Sequence, residues 1–462
     1  MEPKNKPKRL SYYFLKNETT RRFYETSAMG LGLINSFFII SYLSVFHFGM
    51  YQLMLSFIAI LESVSAGFFN DVVVVEIRRY LNTGKTAWAK RLFWEHATLK
   101  LILSALLVVV VFLGSSLISK FYGDDVSLFI RIASILLVVH TIRSVEATLL
   151  KPLMIFSYWA YPMIMELIKL FLIIMFIVFF QLTIINIITA HVVAEISTLG
   201  IITAFSFWKN YKTIFGSISS SLGRPLFNLF KLHGKWVLVR YGFSKITKNT
   251  MPWFIKFFVN TEAVAFYSLS VNLISMIEKL MPMQGFGDVM LLKVGSKDEM
   301  AFIFKRSVKY LIWTGFIFSL AAVLIVPVVI SFIFPKYNQI INIFGIMLLA
   351  LPLYGVYKVL KSTLSILREY RTLAMRLANE VLVFPVGSLI FLPIFGLAGA
   401  GIVYVVAYIE RVWFFYGQLI KKYPEFRIKI TSLIRFDSLD KDLILKVAHQ
   451  LKLSAKSFFL RT

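Results

Sequence analysis

Arg240, Tyr241, Ser244, Lys245 and Lys248 fall within about 140° of arc when placed at 100° per residue on a helix. Val239, Phe243, Ile246, Trp253, Phe254 and Phe257 take the other side. The stretch 236–258 has the length of a bilayer crossing. A cation facing hydrocarbon costs about 2.5–3.5 kcal/mol on insertion scales. These cations therefore belong in a polar cavity, and a cavity lined with cations suits an anion. No Asp or Glu occurs between Glu195 and Glu262 to neutralise them from nearby in the chain. The alternative for Arg240 is a helix that starts later, with the side chain snorkelling to the interface.

Other ionisable residues also fall on apolar segments, where function is the first hypothesis. Lys358 and Lys361 are three apart beside Tyr354 and Tyr357; they line a cavity or snorkel to headgroups. His191 and Glu195 are one turn apart, as in a buried hydrogen-bonded pair or a proton relay. A metal there would need a second ligand cluster, and the sequence displays none. Glu62 and Glu278 are candidates for ion coupling, although Lys279 could neutralise Glu278. Arg143 with Glu146, and Glu166 with Lys169, are spaced to pair on one helix flank. Tyr241 and Trp253 could stack on a sugar or simply pack.

The elements that carry these residues are helices in a membrane. The chain is 58% hydrophobic with a mean hydropathy of +0.75. Apolar runs of about 20 residues recur along it, the length that crosses ~30 Å of hydrocarbon. Only helices and closed barrels satisfy their backbone in lipid, so the fold class is an all-α polytopic membrane protein. Twelve spans are expected near 26–46, 51–71, 97–118, 127–149, 162–181, 183–207, 236–258, 264–285, 309–334, 340–362, 377–396 and 399–418. Placing both termini in the cytoplasm makes the loops 72–96, 208–235, 286–308 and 363–376 cytoplasmic. These loops are rich in Lys and Arg, whereas the opposite ones hold only Lys120 and Lys336, as the positive-inside rule requires. The net charge of +26 is explained by these loops, with no need of nucleic acid. The chain has no cysteine, so disulfides and thiolate metal sites are excluded. The N-terminal MEPKNKPKRL lacks the pattern of a cleaved signal peptide.

An internal repeat orders the spans. GMYQLMLSFIAILE (49–62) aligns without a gap on AFYSLSVNLISMIE (265–278), matching Tyr51 to Tyr267 and Glu62 to Glu278. Glu166 matches Glu380 at nearly the same offset, and VVAEI (192–196) matches VVAYI (405–409). Two six-helix bundles in the same orientation follow, with a substrate path between them. The expected organisation is an N-terminal arm (1–25), a first bundle (26–207), a basic linker (208–235), a second bundle (236–418) and a basic tail (419–462). Leu439, Leu443, Val447 and Leu451 make 438–455 an amphipathic helix suited to a membrane surface.

Two six-helix halves, a basic central loop and a basic seventh span resemble the polysaccharide-exporter branch of the multidrug/oligosaccharidyl-lipid/polysaccharide flippase superfamily, the O-antigen and exopolysaccharide repeat-unit flippases above all. The likeness covers about residues 20–420. It is carried by FGMYQLMLSFIAILESVSAGF (48–68), IRRYLNTGKTAWAKRLF (77–93) and FGLAGAGIVYVVAYIERVWFF (395–415), where Gly396, Gly399 and Gly401 allow close helix packing. The resemblance implies a MATE/MOP-like, V-shaped pair of pseudo-symmetric bundles that alternates access in a bacterial inner membrane. It implies an undecaprenyl-diphosphate-linked oligosaccharide as cargo and proton or sodium as the driving ion, without a cofactor. Arg240, Lys245 and Lys248 would compensate the diphosphate. A polysaccharide polymerase or a glycosyltransferase is a candidate partner for the tail.

Three rivals are weaker. A multidrug exporter of the same superfamily has mostly cationic substrates and would want acids in the cavity. A lipid II flippase usually has fourteen spans, and the tail is too polar to add two. An enzyme of polysaccharide assembly would need a catalytic loop, but the external loops (47–49, 121–125, 259–263, 335–339) are too short. No G-x-x-x-x-G-K-[ST] sequence is present to bind ATP phosphates.

Overall fold

A computed structural model describes residues 6–440, apart from 66–68, 123, 154, 217, 220–222, 282–296, 368, 436 and 439. A helix stands at each of the twelve expected places, and the described residues contain no strand. The helices before the linker are α1 (Lys6–Tyr42), α2 (Val45–Ser65), α3 (Asn70–Asn82), α4 (Thr86–Tyr122), α5 (Asp124–Leu150), α6 (Phe156–Phe179), α7 (Ile184–Ile202) and α8 (Trp208–Phe215). After it come α9 (Pro225–Phe258), α10 (Thr261–Leu280), α11 (Lys297–Ile333), α12 (Ile340–Leu348), α13 (Leu351–Ile366), α14 (Tyr370–Phe395), α15 (Leu397–Lys422) and α16 (Ile430–Ile434).

Among the described residues nine helices are long and apolar enough to cross a membrane, and α12 with α13, bent by 42°, makes a tenth. The other two expected spans, on α9 and α14, run through side chains outside the described residues; within them Leu382–Phe395 of α14 is a shorter apolar helix. Leu106, Val109, Val110, Leu113 and Leu117 on α4 are exposed, as are Val178 and Phe179 on α6. Apolar side chains turned outward in this number suit hydrocarbon rather than water.

Local chemistry sets the helix ends. Thr183 caps α7 by accepting a bond from the Asn186 backbone N–H at 3.3 Å. Gly84, with φ +73°, turns the chain from α3 into α4, and Gly396, with φ +55°, turns α14 into α15. The basic linker is not one long loop. A π-helical turn (Thr203–Phe207) joins α7 to α8, and α9 starts with Pro225 in its first turn. Lys209 and Lys212 lie on α8, which ends at Phe215, and Lys231 lies on α9, which begins at Pro225.

The chain forms two compact units. The first comprises 1–272, 326–346 and 377–404; the second comprises 273–325, 347–376 and 405–462. One core of the first unit packs Phe69, Val73 and Ile77 of the α3 region against Leu92 and Phe93 of α4 and Phe215 of α8. Lys90 on α4 donates to the Phe215 and Ile218 carbonyls at 3.0 and 2.6 Å, satisfying the end of α8. Glycines permit the closest approaches. A Cβ at Gly49 would lie 2.0 Å from the Thr261 carbonyl oxygen, and one at Gly399 would lie 2.2 Å from that of Phe391. Gly401 rests on Ile343 and Ile346, so the three glycines after Phe395 serve a turn and its packing. Gly49→Val should destabilise the protein by about 1–3 kcal/mol, since backbone must move. Gly30→Ala, with nothing within 4 Å, should be neutral. Melting curves of the detergent-solubilised variants read the difference.

In the second unit the tail is anchored to α11. Phe426 is buried against Phe304, with ring centroids 5.3 Å apart, and Trp313 Nε1 donates to the Leu433 carbonyl at 3.0 Å. Asp440, 1% exposed, accepts from Arg306 at 2.9 Å, from Lys309 at 2.5 Å and from Tyr310. Asp437 and Asp440 also accept each other's backbone N–H at 2.9 Å. The expected surface helix 438–455 lies largely outside the described residues; at its described start Asp440 is held by charge. Burial pushes the Asp440 carboxyl up; the bonds from Lys309, Tyr310 and the Asp437 backbone outweigh it and hold the group well below the usual carboxylate range. A carboxylate with a depressed folded pKa stabilises above its unfolded value, near 3.9, and loses that contribution only as pH falls through the folded one. Tail docking should therefore be unchanged between pH 7 and 5 and weaken only under stronger acid. Asp440→Asn should speed tryptic cleavage in the tail at pH 7 relative to the native protein, by freeing the segment that Asp440 holds against α11.

Candidate functional site

Titratable side chains from four helices meet inside the first unit. α7 places His191 and Glu195 on one face, one turn apart; α5 contributes His140 and Arg143; α6 contributes Tyr161; and α2 contributes Tyr51 and Glu62. Glu195 is 2% exposed. One carboxyl oxygen, Oε2, accepts from the Tyr161 hydroxyl at 2.6 Å. The other, Oε1, lies 3.3 Å from His140 Nε2 and 3.6 Å from Arg143 Nη1. His140 turns its second nitrogen, Nδ1, toward Glu62 Oε2 at 3.9 Å. The Tyr51 hydroxyl meets His191 Nδ1 at 3.2 Å. Arg143 stacks over the Tyr161 ring, 4.1 Å from its centroid.

The arrangement puts an imidazole between two carboxylates in a membrane bundle. A buried carboxylate without partners costs several kcal/mol, and here three donors share that load. His140 lies 3.3 Å from one carboxylate, Glu195, through Nε2 and 3.9 Å from the other, Glu62, through Nδ1. The expected mutual bond between His191 and Glu195 is not what forms: each bonds across to another helix. The i,i+3 pair Arg143–Glu146 also separates, because Arg143 turns to Glu195 and Tyr161 while Glu146 accepts from Thr203. Glu166 and Lys169 do pair, at 2.7 Å, and Asn35 of α1 also donates to Glu166.

The repeat-matched positions meet again in the second unit. Glu278 matches Glu62 and Tyr408 matches Glu195; Tyr408 Oη donates to Glu278 Oε1 at 3.4 Å. Around them Tyr354, Tyr357 and Phe415 form an aromatic wall, and the buried guanidiniums of Arg376 and Arg411 stack on Tyr357 at 5.2 and 5.6 Å. Lys358 is exposed, with Nζ 5.2 Å from the Tyr354 ring centroid, and Lys361 is exposed on the same helix. The side chains of Arg240, Lys245 and Lys248 lie outside the described residues, although their backbone belongs to the continuous α9.

Sequence reasoning missed His140, Tyr161, Arg376 and Arg411. His140 was detectable as an ionisable residue on an apolar span. It also missed Lys100, which is fully buried on α4 and donates to Asn70 at 3.0 Å and Ser144 at 2.6 Å.

No family model and no curated protein matches this sequence. Solved structures do match over nearly the whole chain. Lipid II flippase MurJ in an inward closed conformation has a TM-score of 0.69 at 13% identity, covering 90% of this chain and 89% of its own. An inward-facing multidrug resistance MATE family transporter of the MOP superfamily has a TM-score of 0.64 at 16% identity, covering 85% and 95%. A MOP superfamily transporter from Pyrococcus furiosus, described as having reversed polarity in its binding pocket, has a TM-score of 0.58 at 13% identity, covering 91% and 97%.

The fold is MATE- and MurJ-like.

At these identities the likeness is one of fold, and the helix order of this chain matches it. Tyr51 and Glu62 lie on α2, and their repeat partners Tyr267 and Glu278 lie on α10.

Proposed function

We propose that the chain is an ion-coupled flippase. It moves an undecaprenyl-diphosphate-linked oligosaccharide, an O-antigen or exopolysaccharide repeat unit, from the cytoplasmic to the outer leaflet of a bacterial inner membrane by alternating access. The observation that carries the reading is the basic face of α9, with Arg240, Lys245 and Lys248 on one side of a helix in a MATE- and MurJ-like fold. A lipid-linked sugar has an anionic diphosphate that cannot cross hydrocarbon unaided. Cations in a water-filled path compensate that charge and are released by the same exchange on the far side. The driving ion on this reading is a proton at Glu62, His140 and Glu195, because imidazole nitrogen is a poor ligand for a hard alkali cation and a good proton carrier.

A multidrug exporter is the second reading, favoured by the same buried carboxylates. One experiment separates the two. Depletion of the protein in its host should pile up a diphosphate-linked repeat unit on the cytoplasmic face, identified by mass spectrometry and by protection from a membrane-impermeant glycosidase. No accumulation, with altered tolerance of cationic drugs instead, would establish the exporter.

A further inference from the structure

We propose that His140, His191 and Glu195 form a site for a borderline divalent cation of the zinc class inside the first unit. The donor atoms of these three residues all lie within 4.8 Å of one another. His191 and Glu195 stand at i and i+4 on α7, the spacing that turns two ligands to one side of a helix. His140 completes a three-point set from α5. Tetrahedral zinc, with bonds of about 2.0–2.1 Å, holds its ligand atoms about 3.4 Å apart. His140 Nε2 and Glu195 Oε1 are already 3.3 Å apart, so closure requires only that His191 swing inward about its side-chain torsions.

The surroundings are those of a metal site's outer shell. A ligating histidine presents its other ring nitrogen to a carboxylate, hydroxyl or carbonyl, which fixes the tautomer. His191 Nδ1 meets the Tyr51 hydroxyl at 3.2 Å, and His140 Nδ1 faces Glu62 Oε2 at 3.9 Å. That leaves Nε2 of each ring as the ligand nitrogen. Tyr161 already holds Glu195 Oε2 at 2.6 Å, so Oε1 is the oxygen presented to the cation.

Without the cation, Nε2–H of His140 donates to Glu195. On binding, the cation takes the place of that proton, and the proton moves to Nδ1 opposite Glu62. Where His140 starts doubly protonated, one proton leaves to solvent instead. Arg143, 3.6 Å from Glu195 Oε1, yields its place as counter-ion and keeps its stacking on Tyr161. The other charges nearby on the same helices are Glu62, Glu146 and the Glu166–Lys169 pair, the last closed at 2.7 Å. Two imidazoles and one carboxylate select zinc, cobalt or nickel over sodium, magnesium and calcium, which prefer all-oxygen shells.

The inference does not rest on the flippase reading, because binding is measured on purified protein. Tag-free protein in detergent would be titrated with Zn2+ against a chromophoric chelator, and with Co2+ for its visible ligand-field band. One equivalent should bind per chain, and the Co2+ band should have tetrahedral intensity. His140→Ala and His191→Ala should each weaken binding at least ten- to a hundredfold, and Glu62→Gln about tenfold. His47→Ala, at an exposed histidine on α2, should change nothing. Should the alanine variants fail to fold, X-ray absorption of the zinc-loaded native protein decides, with two imidazole ligands expected. An all-oxygen shell, no stoichiometric binding, or unchanged affinity in the folded histidine variants would overturn the site. Failure of binding leaves the proton reading intact, and failure of transport leaves the metal result intact.

Discussion

On the proposed function, replacing Lys245 and Lys248 together with alanine should abolish delivery of the lipid-linked oligosaccharide to the outer leaflet, while the protein should still insert and elute as a single species. The expectation follows from charge. A diphosphate entering a low-dielectric path loses hydration worth several kcal/mol per ion. Cations at fixed positions return that energy only where the diphosphate passes. Removing one partner of a buried charge pair costs about 3–5 kcal/mol, which at 1.4 kcal/mol per decade is a loss of roughly a hundred- to several thousandfold. Lysine-to-arginine changes at both positions should cost far less, because the charge stays and only the shape of the donor changes. The measurement is the sidedness of accumulated glycolipid in cells carrying each variant. Wild-type delivery by the double alanine variant would remove the principal argument for an anionic cargo.

Glu195→Gln is the second large effect. Glutamine has almost the same shape, so the Tyr161 hydroxyl keeps an acceptor. His140 and Arg143, however, face a neutral amide where they faced a carboxylate at 3.3 and 3.6 Å. Arg143 is 34% exposed, so solvent screens part of the about 3–5 kcal/mol that a fully buried guanidinium loses with its acid. The variant should melt well below the native protein and lose ion-driven transport. Tyr161→Phe removes one hydrogen bond to the same carboxylate and should cost about 1–3 kcal/mol. The ranking of the two variants, read by thermal melting in detergent, distinguishes loss of charge from loss of one donor. A native melting temperature together with native transport in Glu195→Gln would show that the cluster neither holds the bundle nor couples the ion.

Much of the molecule was legible from the chain itself. Among the described residues helices stand at all twelve places where spans were expected, 340–362 as the bent pair α12 and α13, because a membrane helix satisfies its own backbone and its position depends on local composition. The turn into α15 was marked by Gly396, and its left-handed backbone at φ +55° explains that residue. The Glu166–Lys169 pair formed because both residues sit on one helix face three apart.

What the tertiary structure decided was the choice of partner across helices. His140 and Glu195 are 55 positions apart, and His191 finds Tyr51 across 140. Arg143 passes over Glu146, its neighbour in sequence, for a carboxylate on another helix. Asp440 in the tail closes on Lys309 across 131 residues. Helical periodicity fixes which side of its own helix a residue occupies. It carries no information on which other helix packs there, because that is set by side-chain volumes and close approaches such as Gly49 on Thr261. The sequence by itself therefore determined the helices, their repeat and the basic face of α9. The buried cluster around Glu195 exists only because α2, α5, α6 and α7 pack side by side.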